Sequence, residues 1–285
     1  MGYPFLLCSL IETNVQNKLF QTGGRLNQIK IINRNKDYMR YLDIMDQLQI
    51  YNTVWTKQRI GKPYDGGYVI CMLPGDYDAI ISGGVSNDVS FEQEFLNKHP
   101  VPCFAYDGTV SSLPIHDPRI TFINKNLGME ESATLTNLHS RIEPYSNLFM
   151  KMDIEGHEFR LLPTFSEAQM NKIKQLTVEI HTPGDIQLHP RYFAGLSDIT
   201  HERMFELFEQ INRTHTLVHV HPNNGCSIHK VNDIPLPNVF ECTFIRNDYV
   251  FEKIPNRQSI PTELDMPNVQ DKPIIHFVGY PFVKT

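Results

Sequence analysis

Acidic and imidazole side chains follow a short apolar run in the middle of the chain. The run from Leu148 to Met152 is followed by Asp153, Glu155 and His157. An apolar run that ends in an acid and leads into a helical pattern predicts a buried parallel strand followed by a helix. Because ligands of open α/β sheets bind outside the carboxyl ends of the strands, these side chains are candidates for proton transfer or metal binding. The alternative is that the acids only cap the helix.

Later strand ends supply more groups of the same kind. The next predicted strand ends at Glu179 and His181, and the one after it ends at His221. His181 is our first candidate for a general base, because a neutral imidazole near pH 7 can accept a proton. Asp153 is the second candidate, and it could instead orient the imidazole or the acceptor. His157 and His221 complete the catalytic candidates, although each histidine taken alone also fits a structural hydrogen-bonding role.

A divalent metal is the rival to a base in this group of side chains. Asp153 and the pair Glu179 and His181 come from neighbouring predicted strand ends, 26 to 28 residues apart. Together they could supply carboxylate and imidazole ligands to Mg or Mn. The residues themselves leave the base mechanism and the metal mechanism both open.

A glycine turn earlier in the chain has the pattern of a nucleoside site. The apolar stretch at residues 78–82 runs into Gly83 and Gly84, and a helical pattern follows. A strand, a glycine turn and a helix form the cofactor cradle of doubly wound folds. Asp107 ends the next predicted strand, 23 residues after Gly84, close to the spacing of about 20 residues at which an acid binds ribose hydroxyls. The full three-glycine fingerprint is missing, and Asp107 with Gly108 could be only a turn.

A second glycine pair lies in a predicted hairpin. Asp65, Gly66 and Gly67 form the turn, and residues 68–72 form the following strand. The glycines would also let a backbone approach a ligand, and Arg59 could bind a carboxylate. A purely structural hairpin explains the same residues.

Composition narrows the class of protein. The chain has 285 residues, is 41% hydrophobic and carries a formal net charge of -6, which argues against a dedicated nucleic-acid binder. Its five cysteines are scattered without metal-binding spacing, so we expect reduced thiols and a cytoplasmic location. The apolar runs are too short to predict a membrane span.

The chain divides into three parts. Residues 1–57 form an N-terminal extension with a predicted amphipathic helix at residues 38–50. We interpret the whole extension as a lid, a dimer arm or a docking segment for a partner enzyme such as a glycosyltransferase. Residues 58–250 form the domain, and the proline-rich tail at residues 251–285 packs on it.

The predicted sheet strands are residues 78–82, 101–106, 120–123, 148–152, 176–180, 215–220 and 239–245, and the other predicted helices are residues 91–96, 134–142 and 199–211. This alternation predicts one α/β domain with a largely parallel sheet.

With these residues in view, the chain resembles the FkbM-type methyltransferases, which use S-adenosylmethionine. The octet KMDIEGHE at residues 151–158 is close to that family's K-[ILM]-D-[IV]-E-G-x-E signature. Weaker similarity lies at residues 59–68, 178–181 and 219–224. The resemblance covers about residues 58–250.

The resemblance implies a seven-stranded, Rossmann-like methyltransferase fold, with a mostly parallel doubly wound sheet and helices on both faces. It implies that Gly83 and Gly84 lie in the cofactor turn and that Asp107 binds the ribose. It also implies O-methylation of a sugar or glycan hydroxyl, for which tyrosines could provide stacking walls. The family usually has an acid at the position of Ser82, which puts one cofactor contact in doubt. The candidates to replace that acid are Arg59, Asp65 and Asn87. The tyrosines are Tyr64, Tyr68, Tyr106 and Tyr192.

Three other functions remain open at this stage. A catalytically silent nucleoside-binding or assembly module would explain the serine at position 82. A metal-dependent hydrolase could use the acids and histidines at the strand ends. A nucleotide-dependent oxidoreductase would use the glycine turn and Asp107, although the incomplete fingerprint weighs against it. Homodimer formation is an additional expectation that the sequence does not decide.

Overall fold

A computed structural model describes residues 45–284. Most of the predicted N-terminal amphipathic helix therefore lies outside the described residues. The described part of that helix contains one short 3₁₀ turn, Asp46–Leu48. The described residues from Met45 onward form one compact unit.

Thirteen strands and six α-helices make up the described part of the chain. The strands are β1 (Lys57–Ile60), β2 (Tyr68–Cys71), β3 (Ala79–Gly83), β4 (Cys103–Tyr106), β5 (Ile120–Ile123), β6 (Asn126–Leu127), β7 (Leu135–Thr136), β8 (Leu148–Met152), β9 (Ile173–His181), β10 (His215–Pro222), β11 (Ile228–Val231), β12 (Ile234–Pro237) and β13 (Val239–Arg246). The helices are α1 (Ser90–Lys98), α2 (His139–Ile142), α3 (Glu158–Leu161), α4 (Glu167–Met170), α5 (Pro183–Leu188) and α6 (His201–Thr214). None of these helices is long and apolar enough to cross a membrane.

Seven of the strands form the central sheet, in the order β10-β13-β9-β8-β3-β4-β5. The five strands from β9 to β5 are parallel, and β13 is antiparallel to both of its neighbours. The chain fills the sheet from β3 to β5 on one side and then returns to β8 on the other. The junction of β3 and β8 is therefore a topological switch point, where ligands of such sheets bind.

The prediction of a mixed α/β fold with a largely parallel seven-stranded sheet is confirmed. The finer expectation of a doubly wound sheet is met only in part, because the helices are few and mostly short. The connection between β4 and β5 carries no helix in the described chain, since Gly108, Pro114 and Pro118 interrupt any helical pattern there.

Aromatic packing fixes the first helix against the sheet. Phe149 of β8 is fully buried, and its ring lies 4.6 Å from that of Phe95 and 5.7 Å from those of Tyr77 and Phe91. Phe91 and Phe95 are one helical turn apart on α1, as its amphipathic pattern predicts. The predicted helix at residues 91–96 is thus confirmed and extends slightly at both ends.

One local prediction fails, and one hairpin was not predicted. The helix expected at residues 134–142 is a short strand, β7, followed by α2, and Leu138 between them has a left-handed backbone with φ of 62°. The hairpin of β11 and β12 was not predicted, although Asn232 and Asp233 form its turn with φ values of 48° and 67°. Two such residues at positive φ are typical of a two-residue hairpin turn, so a sequence signal existed.

The predicted hairpin of β1 and β2 lies on the central sheet. Its strands are antiparallel, and two side chains of the sheet hold it. The Thr243 hydroxyl donates to the Val69 carbonyl at 2.6 Å, and the Cys71 amide donates to Gln175 Oε1 at 2.7 Å. The hairpin is therefore fixed above β9 and β13.

The C-terminal tail packs on the same unit. The Asn52 amide donates to the Ile254 carbonyl at 2.8 Å, and the Ile50 amide donates to the Phe282 carbonyl at 3.1 Å. Asp265 lies in the tail and accepts a hydrogen bond from His219 of β10 at 2.8 Å. Backbone hydrogen bonds to Ile50 and Asn52 and a buried hydrogen bond to His219 of the sheet thus hold the tail on the unit.

We predict that Phe149→Ala lowers the free energy of unfolding by about 3–5 kcal/mol, because it leaves a cavity among three aromatic rings. Phe251→Ala is the matched control, since Phe251 is 77% exposed, and it should cost roughly 1 kcal/mol or less. Denaturant unfolding followed by circular dichroism measures both. Equal losses for the two variants would contradict this description of the core.

Candidate functional site

A cavity of about 480 Å³ lies at the switch point, outside the carboxyl ends of β3, β4 and β8. We call it the switch-point cavity. Asp107, Asp153, Glu155 and His157 contribute its ionisable wall, and Leu127, Phe193 and Leu196 are among its apolar lining residues. Three predicted strand ends therefore meet at one cavity, as the carboxyl ends of parallel strands do.

The glycine turn after β3 forms part of this cavity. Gly84 lines it and has a φ of 75°. A Cβ atom at Gly84 would overlap the carbonyl of Asp153. The Asp153 amide also donates to the Gly83 carbonyl at 3.1 Å. Only glycine allows this close approach of the two strand ends, which brings Asp153 to the cavity wall.

Asp107 joins the glycine turn to the end of β4. Its Oδ2 accepts from the Ser86 amide at 2.7 Å, and its Oδ1 accepts from the amide and the hydroxyl of Thr109 at 2.7 and 2.5 Å. Burial favours the neutral acid, but these hydrogen bonds outweigh it and lower the pKa of Asp107. The carboxylate is therefore ionised at neutral pH. Gly108 turns away, since its amide donates to the Asn126 side chain at 3.0 Å.

Glu92 supplies a buried carboxylate next to Ser82. The Ser82 hydroxyl donates to Glu92 Oε1, and Lys151 Nζ lies 3.9 Å from the same oxygen. Lys151 also donates to the Gly84 carbonyl at 3.5 Å. An acid from α1 thus lies beside the position where the resembled family carries one. The sequence reasoning missed it, although an acid on the buried face of a predicted helix was a usable signal.

The three side chains expected to replace the missing acid lie elsewhere. Arg59 donates to the carbonyls of Lys62 and Tyr64 and so closes the hairpin turn. Asp65 is 3.4 Å from the amide of Asn268. The structure describes five expected cofactor contacts of this kind, and none of them lines the switch-point cavity. They are Arg59, Asp65, Gly66, Gly67 and Asn87.

Asp153, Glu179 and His181 come together at the ends of β8 and β9. Each offers one ligand atom, and these atoms all lie within 4.8 Å of one another. We call these three residues the acid–imidazole cluster. Glu155 Oε2 lies 3.0 Å from His181 Nε2, and Asp185 Oδ2 lies 2.9 Å from His181 Nδ1. Asp185 was not anticipated, although it follows His181 by four residues, within α5.

The charge of His181 differs from the neutral state expected of a base. Burial alone would lower its pKa, but the neighbouring carboxylates of Asp185, Glu155 and Glu179 outweigh burial and raise the pKa well above its usual range. The imidazole is therefore protonated at neutral pH in this arrangement. The reason for choosing it first as a base does not hold, because three carboxylates surround it.

Asp153 and His157 have perturbed pKa values in opposite senses. Burial and the neighbouring Glu179 raise the pKa of Asp153 well above the usual value, and the Tyr68 hydroxyl donates to its Oδ2 at 2.8 Å. Burial and the nearby Arg160 lower the pKa of His157. His157 thus presents a neutral imidazole to the cavity at neutral pH.

His221 belongs to a different network. Its Nδ1 lies 3.3 Å from Glu241 Oε2, and Asn268 of the tail donates to Glu241 Oε1 at 2.9 Å. β10 is separated from β9 by β13, so His221 does not join the acid–imidazole cluster. Its contacts instead link the edge of the sheet to the tail.

Comparison with known proteins adds no family assignment. No model of a known protein family matches the chain, and no curated protein matches it significantly. The functional interpretation therefore rests on the geometry of the site and on the motifs quoted above.

Glu158, the last residue of the signature octet, gives a test of the site's burial. It is fully buried, its Oε1 accepts from the Ile154 amide at 2.8 Å, and its Oε2 has no hydrogen-bond partner among the described residues. Burial raises its pKa from 4.5 to about 8. The folded state thus holds a proton that the unfolded chain releases, and stability falls as pH rises from 4.5 to 8.

We predict that Glu158→Gln removes this loss of stability at high pH. Relative to the wild type, the free energy of unfolding of the variant should rise by roughly 4 kcal/mol between pH 5 and pH 9, since each pKa unit corresponds to about 1.4 kcal/mol. Denaturant unfolding at both values measures it. The exposed Glu167→Gln is the control and should show no such difference. A pH-independent difference between Glu158→Gln and wild type would refute the buried acid.

Proposed function

We propose that this protein is an S-adenosylmethionine-dependent O-methyltransferase that acts on a hydroxyl of a sugar or glycan. One observation carries the proposal: Asp153 both lines the switch-point cavity and belongs to the acid–imidazole cluster. A cofactor in the cavity would present its reactive end beside groups that can hold a proton. The FkbM-like octet around Asp153 supports the same activity.

The cavity suits a nucleoside cofactor in size and position. Its volume of about 480 Å³ is within the range of about 300–1,000 Å³ of small-molecule sites. The strands from β5 to β9 follow the order of doubly wound nucleotide-binding sheets, whose ligands bind at the reversal of strand order. The antiparallel β13 between β9 and β10 agrees with the seven-stranded methyltransferase fold that the resemblance implies.

Asp107 is the candidate ligand of the ribose. Its carboxylate lines the cavity and already accepts three hydrogen bonds from Ser86 and Thr109. A ribose hydroxyl could replace the Thr109 hydroxyl, which can rotate to another partner, and both backbone amides would keep theirs. The exchange leaves no buried amide without a hydrogen-bond partner, so the observed contacts are compatible with ribose binding.

Charge favours this cofactor over a dinucleotide. Two carboxylates with lowered pKa values, from Asp107 and Glu155, line the cavity together with the buried acid of Asp153, and no Lys or Arg is among the described lining residues. S-adenosylmethionine carries positive charge on its sulfonium and its ammonium group, which carboxylates attract. The diphosphate of a nicotinamide dinucleotide would be repelled. The cavity thus weighs against the oxidoreductase alternative.

The cluster provides what methyl transfer to a hydroxyl requires. When bound, S-adenosylmethionine would supply a sulfonium methyl group: an oxygen nucleophile takes the methyl in an in-line displacement, the S–CH3 bond breaks, and the neutral thioether S-adenosylhomocysteine leaves. The protein must hold the acceptor oxygen about 3 Å from the methyl carbon and take up its proton. Asp153 is the carboxylate common to the cavity and the cluster, so the acceptor hydroxyl binds beside it in this proposal.

An aromatic rim supports a sugar acceptor. Tyr192 is 66% exposed, and its ring lies edge-on to that of Phe193 at 4.9 Å. Both residues line the cavity, and the Phe193 ring lies 5.1 Å from His181. A sugar ring could stack on such a surface while its hydroxyl reaches the cluster. Of the other tyrosines considered, Tyr106 lines the cavity, whereas Tyr68 is buried against Asp153.

We predict micromolar binding of both S-adenosylmethionine and S-adenosylhomocysteine, one molecule per chain. Isothermal titration calorimetry, with a chelator present in one series and absent from the other, measures it. A reduced nicotinamide dinucleotide is the control ligand and should give no heat of binding because of the acidic cavity. Failure of both adenosyl compounds to bind in either series would overturn the proposal and favour a silent module or a hydrolase.

We further predict that Asp107→Asn raises the Kd for S-adenosylhomocysteine at least tenfold, about 1.4 kcal/mol, because the ribose loses a charged acceptor. Asp198→Asn is the matched control, since Asp198 pairs with Arg160 and Arg203 at the surface and does not line the cavity. Calorimetry measures both, and thermal unfolding checks that each variant is folded. Equal affinity in the two variants would remove Asp107 from the ribose site.

A further inference from the structure

We propose that the acid–imidazole cluster is a divalent cation site, with Asp153, Glu179 and His181 as ligands and Mn²⁺ or Mg²⁺ as the metal. The three ligand atoms lie within 4.8 Å of one another at adjacent strand ends. Two carboxylates and one imidazole form a donor set for a hard or borderline divalent metal. The role assigned to the metal below rests on the proposed methyltransferase function, whereas the site itself does not.

Each ligand is held by a second side chain. The Tyr68 hydroxyl donates to Asp153 Oδ2 at 2.8 Å, and the Asn223 side-chain amide donates to Glu179 Oε1 at 3.1 Å. Asp185 Oδ2 lies 2.9 Å from His181 Nδ1. Metal-binding histidines characteristically donate their other ring nitrogen to a carboxylate, which fixes the tautomer and aims Nε2 at the metal. All three side chains are therefore oriented before any ion binds.

The ring nitrogen aimed into the cluster is left unpaired. His181 is 8% exposed, and its Nε2 is buried with no hydrogen-bond partner among residues 45–284. Glu155 Oε2 lies 3.0 Å away but outside the direction in which a ring N–H would point. A buried polar nitrogen without a partner is costly. A divalent cation would displace the Nε2 proton and be coordinated by that nitrogen, which would satisfy it.

Charge around the cluster also favours a cation. Four carboxyl side chains lie on or against it, from Asp153, Glu155, Glu179 and Asp185, and one imidazole faces them. Such a concentration of acid in a mostly buried place is costly unless positive charge compensates it. A divalent cation would compensate two of these charges at once. Glu155, whose side chain is 47% exposed, is the nearest additional oxygen donor.

The position gives the cation a role in the proposed reaction. Asp153 is a ligand and also lines the switch-point cavity. A cation there would bind the acceptor hydroxyl, lower its pKa and hold its oxygen toward the cavity. A sugar hydroxyl is a very weak acid, so this assistance would let a neighbouring carboxylate take up its proton.

Titration of the chelator-treated, S-adenosylmethionine-free protein with Mn²⁺ tests the site. The electron paramagnetic resonance signal of free aqueous Mn²⁺ disappears on binding and so gives stoichiometry and Kd without any activity assay. We expect one Mn²⁺ per chain, competition by Mg²⁺, and at least a tenfold increase in Kd in Glu179→Gln or in Asp153→Asn. Two ligand variants are used in case one does not fold, and circular dichroism reports on both.

Glu241→Gln is the matched control. Glu241 is a buried carboxylate opposite Glu179 on the neighbouring strand, but it binds His221 and Asn268 instead. Its variant should bind Mn²⁺ with the affinity of the wild type. Absence of saturable Mn²⁺ binding, or equal binding in all the variants, would overturn the cation site. The calorimetry with chelator separates the two proposals: adenosyl binding without Mn²⁺ binding removes only the cation, and the reverse removes only the methyltransferase.

Discussion

The close contact between the end of β3 and the end of β8 is the constraint on which the site depends. Gly84 has no side chain and adopts a positive φ, so its backbone meets the Asp153 carbonyl directly. This contact holds Gly84 and Asp153 side by side in the wall of the switch-point cavity. The Tyr68 hydroxyl, on the hairpin above the sheet, then orients the Asp153 carboxylate. The close contact between the Gly84 backbone and the Asp153 carbonyl thereby links the cavity, the cluster and the hairpin.

Backbone strain and buried charge concentrate at the same place. Ser86 and Glu155 both line the cavity and have left-handed φ values of 42° and 56°. Positive φ costs of order 1–3 kcal/mol for a residue with a side chain, and surrounding structure must hold it there. Glu158 and Asp153 add buried carboxyls with raised pKa values. Residues that weaken stability in this way are typical of sites that bind or react.

The secondary structure was largely predictable because local pattern determines it. The strands β3, β4, β5 and β8 agree with the predicted ranges to within a few residues, since a short apolar run bounded by turn residues has few other solutions. The two-residue strand β7 was not predictable, because its pairing with β6 depends on a distant segment rather than on its own pattern. Glu92 and Asp185 were missed for a related reason: their roles come from what they face.

The sequence by itself determined the fold class, the strand ends at which chemistry could occur, and the candidacy of Asp107, Asp153, Glu179 and His181. Apolar periodicity and glycine turns are local properties, so they can be read along the chain. Only the tertiary structure decided which candidates meet. It brought His181 among three carboxylates, which favour the protonated imidazole over the expected neutral one, and it separated His221 from the cluster by inserting β13 between β9 and β10. Protonation and partnership depend on distances across strands, and these are fixed only when the sheet is assembled.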